Sequence, residues 1–167
     1  MRSRCRARSS ARGSIWQQAL GFLRAGQGEG DSGDRALENI NHVYARIAPG
    51  DIHATHSQEP AWFTTAPVGA IRKLFERTGS DPKSVDLYEI NEAFAVVTMA
   101  AMKEHGLPHD KVNVHGGACA LGHPIGASGA RIVATLIGAL RKYGLKRGVA
   151  TLCIGGGEAT AMAIECP

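Results

Sequence analysis

Apolar residues recur at helical spacing from Pro67, with Val68, Ile71, Leu74 and Phe75 on one face until Thr78-Gly79. Pro67 suits a helix start, where its missing N–H is not needed, and glycine suits the end. Val85 to Ile90 is a short apolar run and predicts a strand. Glu92 to His105 predicts a second helix, closed by Gly106. Its apolar residues (Phe94, Val96, Val97, Met99, Ala100, Ala101) go round most of the circumference, so this helix is expected to be largely buried. Val112 to Val114 predicts another strand. A third helix is expected over Gly126 to Tyr143, with Ile132, Val133, Leu136, Ile137 and Leu140 on its inner face and Gly144 after it. Val149 to Ile154 and Ala159 to Ile164 predict two strands joined through three glycines and Glu158. Helix, strand, helix, strand, helix, strand, strand is the order of an α/β domain: layered helices on a mixed sheet, with a closing C-terminal hairpin. Between His53 and Pro67 no period is visible, and a long loop is expected.

The first 43 residues have a different character. Ala25 to Gly33 holds four glycines in nine residues, the composition of a flexible linker. Residues 1–43 carry seven Arg and four acids, whereas residues 44–167 carry twelve bases and eleven acids. The excess positive charge therefore belongs to the opening segment, and the body is nearly neutral. That distribution leaves no basic stripe for nucleic acid. No run approaches the 18 apolar residues a membrane span needs. The chain divides into an Arg/Gly-rich leader, 1–43, expected to be disordered, and a folded body, 44–167. The leader has the composition of a mitochondrial transit peptide or of an unrelated, mis-joined segment. The four cysteines show no paired spacing, which fits a reducing cytoplasm.

Three segments sit where strands hand over to the next element, the place where α/β folds bind ligands. The first is Asn91-Glu-Ala-Phe94, in which Asn91 is either a helix cap or a functional group. The second, His115 to Gly129, has five glycines and one proline in fifteen residues, so the backbone turns repeatedly around something close. His123 is pinned in it by Pro124 and is a candidate catalytic or ligand-binding group. The spacing fits neither a P-loop nor G-x-G-x-x-G, and Gly126-Ala-Ser-Gly129 is one residue short of a nucleophile elbow. The third is Cys153-Ile-Gly-Gly-Gly157, a cysteine beside amides able to face an oxyanion. His53/His56 and His105/His109 lack partners of metal-site type and read as ordinary loop and surface histidines, so no metal is expected.

Asn91-Glu-Ala-Phe-Ala95, Gly116 through Arg131 and Cys153-Ile-Gly-Gly-Gly157, in this order, resemble the three C-terminal signatures of thiolases, which include acetyl-CoA acetyltransferases and 3-ketoacyl-CoA thiolases. The likeness runs from about Ala45 to Pro167. It implies a thiolase-like C-terminal domain and a substrate pair of acyl-CoA and free coenzyme A, with no further cofactor. By the resemblance, His123 activates a nucleophilic cysteine and, with a water held by Asn91, stabilises a thioester oxyanion. Cys153 acts as acid and base at the α-carbon. The Gly155 amide serves a second oxyanion hole. Ala93 and Phe94 line the pantetheine path, and Phe63 the acyl pocket. Such chemistry needs a thiolate carrier, a base for a weak carbon acid and fixed donors for two oxyanions. The family's nucleophilic cysteine belongs to an N-terminal half to which nothing here corresponds, and Cys119 is a poor substitute for it. The chain alone is therefore expected to be inactive, and full-length members to be homo-oligomers. Two other readings are a non-catalytic interaction module of the same fold, and a ketoacyl synthase or sterol-carrier-type relative. Asn91 and Cys153 argue against the latter.

Overall fold

The computed structural model describes residues 53–166. The leader and its linker lie outside the described residues. The described chain runs β1 (His53–Ser57), α1 (Ala66–Thr78), β2 (Leu87–Ile90), α2 (Ala95–His105), α3 (Ala118–Leu121), α4 (Ser128–Tyr143), β3 (Arg147–Ile154) and β4 (Glu158–Glu165). Short 3-10 segments lie at Pro60–Thr65, which is kinked at Trp62, and at Pro82–Ser84 and His109–Lys111.

The sheet order is β1-β4-β3-β2. β3 and β4 form the expected hairpin, with Cys153 opposite Ala159, and β2 lies parallel to β3, Ile90 beside Thr151. Period-two alternation along β3 and β4 sends side chains to two separate cores. Val149, Ala159 and Ala161 meet Val68, Ile71 and Leu74 of α1. Ala150, Met162 and Ile164 meet Ile132, Leu136 and Leu140 of α4. The sheet is thus covered on both faces, the layering expected from the pattern. Each buried Leu or Ile contributes on the order of 1.5–3 kcal/mol. All three long helices end at the foreseen glycines, Gly79, Gly106 and Gly144, each with left-handed φ.

Four local expectations are corrected. The segment after His53 is a strand, β1, paired antiparallel with β4 from His53↔Met162 to Ser57↔Glu158. Only Ala54 in it is buried, so the ladder holds it without an apolar signal. The hairpin is consequently flanked by β1, and β4 is interior. Val112 to Val114 is a single bridge, Tyr88↔Val112, and not a strand. Asn113 turns to φ +49, and its carboxamide accepts from Ile90 N–H at 2.8 Å and donates to Ile90 carbonyl at 2.9 Å. One side chain thereby replaces a strand's backbone partners. Helix α2 begins at Ala95, after an extended Phe94, three residues later than expected. It is not largely buried: Val97, Thr98 and Ala101 are covered, whereas Phe94, Val96 and Met99 are exposed among the described residues. The short α3 was not foreseen, because four residues carry no period.

Candidate active site

β2 and β3 run parallel, so their carboxyl ends lie at one edge of the sheet, and α4 starts there. Asn91 leaves β2 at that edge. Its N–H donates to the Thr151 carbonyl at 2.9 Å, and its side chain is fully buried. It does not cap α2, which starts four residues later. The Asn91 Oδ1 accepts from Arg131 Nη2 at 3.2 Å. A guanidinium only donates, so this contact assigns the oxygen end of the carboxamide. The amino end then faces His123, with Nδ2 3.4 Å from Nδ1 and 3.5 Å from Nε2.

His123 is half-buried and approached from its other side by Ser128, the first residue of α4. Ser128 Oγ lies 2.6 Å from His123 Nδ1 and 3.1 Å from the Pro124 carbonyl. A hydroxyl has one proton, and the carbonyl can only accept. With that proton on Pro124, Nδ1–H donates to Ser128 and Nε2 keeps its lone pair, the form a general base needs.

Behind Asn91 sits Glu89, fully buried in β2, with Oε2 3.5 Å from Arg131 Nη1. Burial is the larger influence and the Arg131 charge opposes it, so the Glu89 carboxyl is pushed up to about 7 from 4.5. The folded protein therefore holds a proton between these values that the unfolded chain has lost. The stability this contributes is complete below pH 4.5 and disappears as pH rises through about 7. Urea midpoints of Glu89→Gln and the original chain, taken from pH 5 to 8, are expected to separate steadily in favour of the Gln variant. Parallel curves would remove Glu89 as the titrating group.

Glu92 staples the glycine-rich loop to the strand end. It accepts from Asn113 Nδ2 at 2.9 Å and from Cys119 N–H at 2.9 Å. Burial pushes its carboxyl up, but these hydrogen bonds and Arg131 outweigh burial and leave it below its ordinary value. Cys119 is exposed, and the neighbouring Glu92 raises its thiol. Cys153 is buried near the carboxyl end of β3, and burial raises its thiol too. Neither is held as a ready thiolate.

The structure thus brings Asn91 and His123 together, and places Cys153 at the end of the adjacent strand. Gly155 lies exposed in the β3–β4 turn. Phe63 and Phe94 pack edge to face at 6.0 Å, beside the partly buried Ala93. Sequence reasoning singled out neither Ser128 nor Arg131, although both stand on the first turn of α4 at i and i+3. Glu89 was also missed; its signal is a carboxylate flanked by Tyr88 and Ile90. No group of three or more His, Cys, Asp or Glu gathers among the described residues. No described helix is long and apolar enough to cross a membrane.

Residues 43–166 match the family model of the thiolase C-terminal domain. Acetyl-CoA acetyltransferase 1 of Arabidopsis thaliana is 51% identical over 134 residues, covering 80% of this chain and 32% of its own length. The cytosolic acetyl-CoA acetyltransferase of Mus musculus is 51% identical over 107 residues, covering 64% and 27%. The crystal structure of the Bacillus anthracis acetyl-CoA acetyltransferase superposes with a TM-score of 0.66 at 44% identity, covering 68% of this chain and 29% of that one. The chain spans about a third of the length of the curated relatives it matches.

Proposed function

We propose, on the premise that the chain belongs to the thiolase family and carries its C-terminal domain, that it serves acyl transfer between coenzyme A thioesters. The reaction is condensation of two acetyl-CoA to acetoacetyl-CoA with release of coenzyme A, or the reverse thiolysis of a 3-ketoacyl-CoA, as in fatty acid metabolism. The observation that carries this reading is the buried Asn91 amide turned toward His123, whose Nδ1 lies 2.6 Å from Ser128 Oγ. In this reading His123 takes the proton of a nucleophilic thiol, and Asn91 and His123 then hold a water against the thioester oxygen as negative charge develops. Cys153 exchanges the α-proton of the second substrate, and the Gly155 amide receives the second oxyanion. Ala93, Phe94 and Phe63 form the wall along which the pantetheine and acyl chains run. Coenzyme A is substrate and no further cofactor is invoked. The relatives named acetyl-CoA acetyltransferase, one of them cytosolic, support a two-carbon acyl group and a cytoplasmic whole protein, for which a homo-oligomer is part of the same proposal.

Among the described residues neither Cys119 nor Cys153 is hydrogen-bonded to His123, which favours a second reading for the chain by itself, a thiolase fold without turnover. One experiment separates the two. In a chimera, residues 44–167 replace the matching segment of the Bacillus anthracis acetyl-CoA acetyltransferase, and loss of acetoacetyl-CoA enolate absorbance is followed with coenzyme A present. Turnover of about 1 per second or more is expected. His123→Ala should lower it by roughly a thousandfold or more, since groups that act as a unit fail together. A folded chimera without turnover would leave the non-catalytic reading standing. The 167-residue chain alone is expected to show no turnover in the same assay.

A further inference from the structure

We propose that Arg131 is a positioning residue, whose guanidinium, anchored on Glu89, fixes which end of the Asn91 carboxamide faces His123. The consequence for catalysis rests on the acyl-transfer reading; the positioning itself does not. Three observations carry it. The two terminal nitrogens of Arg131 divide their work, Nη1 lying 3.5 Å from Glu89 Oε2 and Nη2 3.2 Å from Asn91 Oδ1. The carboxamide is fully buried, so no bulk water competes to orient it. Its amino end has only the His123 ring within reach among the described residues.

A carboxamide is nearly symmetric in shape, and packing alone discriminates weakly between its two orientations. Turned over, Asn91 would aim Nδ2 at a guanidinium, donor against donor, and Oδ1 at the imidazole. The fork of Arg131 penalises that state and leaves one orientation. A buried carboxyl group on a strand otherwise filled by Leu87, Tyr88 and Ile90 is explained in the same way, because Glu89 sets where the fork lies. Among the described residues Glu89 Oε1 and Arg131 Nε have no hydrogen-bond partner, so the pair meets there only through the terminal nitrogen that leaves the other for Asn91. A planar fork reaches both acceptors at once, which a lysine ammonium on a flexible stem does not reproduce.

The test uses the 167-residue chain and no substrate, so it stands or falls separately from the acyl-transfer reading. The Asn91 side-chain amide is observed by ¹⁵N NMR and assigned by its disappearance in Asn91→Asp. In the original chain its order parameter is expected in the rigid range, about 0.85, and in Arg131→Met below about 0.6. Arg131→Lys, which keeps the charge, is expected to resemble the Met variant. Glu89→Gln, the milder change if Arg131→Met does not fold, should shift the Asn91 amide in the same direction by less. A rigid, unshifted Asn91 amide in folded Arg131→Met overturns the proposal. A fully restored amide in Arg131→Lys also overturns it, by showing that charge without the fork suffices.

Discussion

Replacing Gly157 with alanine is expected to destabilise the domain by at least about 3 kcal/mol, among the largest costs a single methyl group can impose. Gly157 closes the turn between β3 and β4 with φ +85. An L-residue in that region costs roughly 1–2 kcal/mol by itself. The added Cβ would also be driven into the Gln58 carbonyl oxygen and come within 3.1 Å of the Glu59 carbonyl. Those atoms are backbone and have no rotamer to escape into. Moving them pulls on the Gln58 N–H, which donates to the Gly157 carbonyl at 3.0 Å and ties the end of β1 to the hairpin. Gly155, two residues earlier, is the control. It has no positive φ, and a Cβ there meets nothing within 4 Å. Gly155→Ala should change stability by less than about 0.5 kcal/mol. Urea unfolding of both variants decides the matter, and equal midpoints would show that the close approach at Gly157 does not exist in solution.

Leu136→Ala is expected to cost about 2–5 kcal/mol, the range for emptying a fully buried leucine site. Leu136 is the centre of the inner face of α4, fully buried against the sheet. It fits because β3 has a glycine opposite: a Cβ on Gly148 would lie 2.8 Å from Leu136 Cδ1. The two sites are therefore coupled. Gly148→Ala should destabilise the original chain but cost much less in the Leu136→Ala background, a difference that a double-mutant cycle reads directly. The effect should reach the site, because α4 carries Ser128 and Arg131 on its first turn. Loosening its packing frees both partners that hold His123 and Asn91. If urea unfolding shows Leu136→Ala within about 1 kcal/mol of the original, the α4 face is not the core described above.

Local pattern determined much of this protein. The period of Val68, Ile71, Leu74 and Phe75, and that of Ile132 through Leu140, specified α1, α4 and the faces they bury, because burial on one side leaves a 3.6-residue trace. The glycine stops were legible, since a left-handed residue strongly selects glycine. So were the three motif segments, and the place of Asn91 and Cys153 at the carboxyl ends of two parallel strands, whereas the glycine-rich segment follows a single bridge and not the expected strand. Tertiary structure decided what has no local trace. β1 exists because β4 offers its edge to a polar strand, and only pairing across a hundred residues reveals it. Asn113 overrode the β-propensity of Val112 and Val114 because its side chain meets the backbone of Ile90. Apolar residues round most of the circumference of α2 predict a largely buried helix, yet periodicity cannot say how many neighbours a helix has. The line from Glu89 through Arg131, Asn91 and His123 to Ser128 joins five residues from β2, the glycine loop and α4. Its members were all in plain sight in the sequence, but hydrogen-bond partners chosen across the fold depend on where the sheet edge and the start of α4 meet in space.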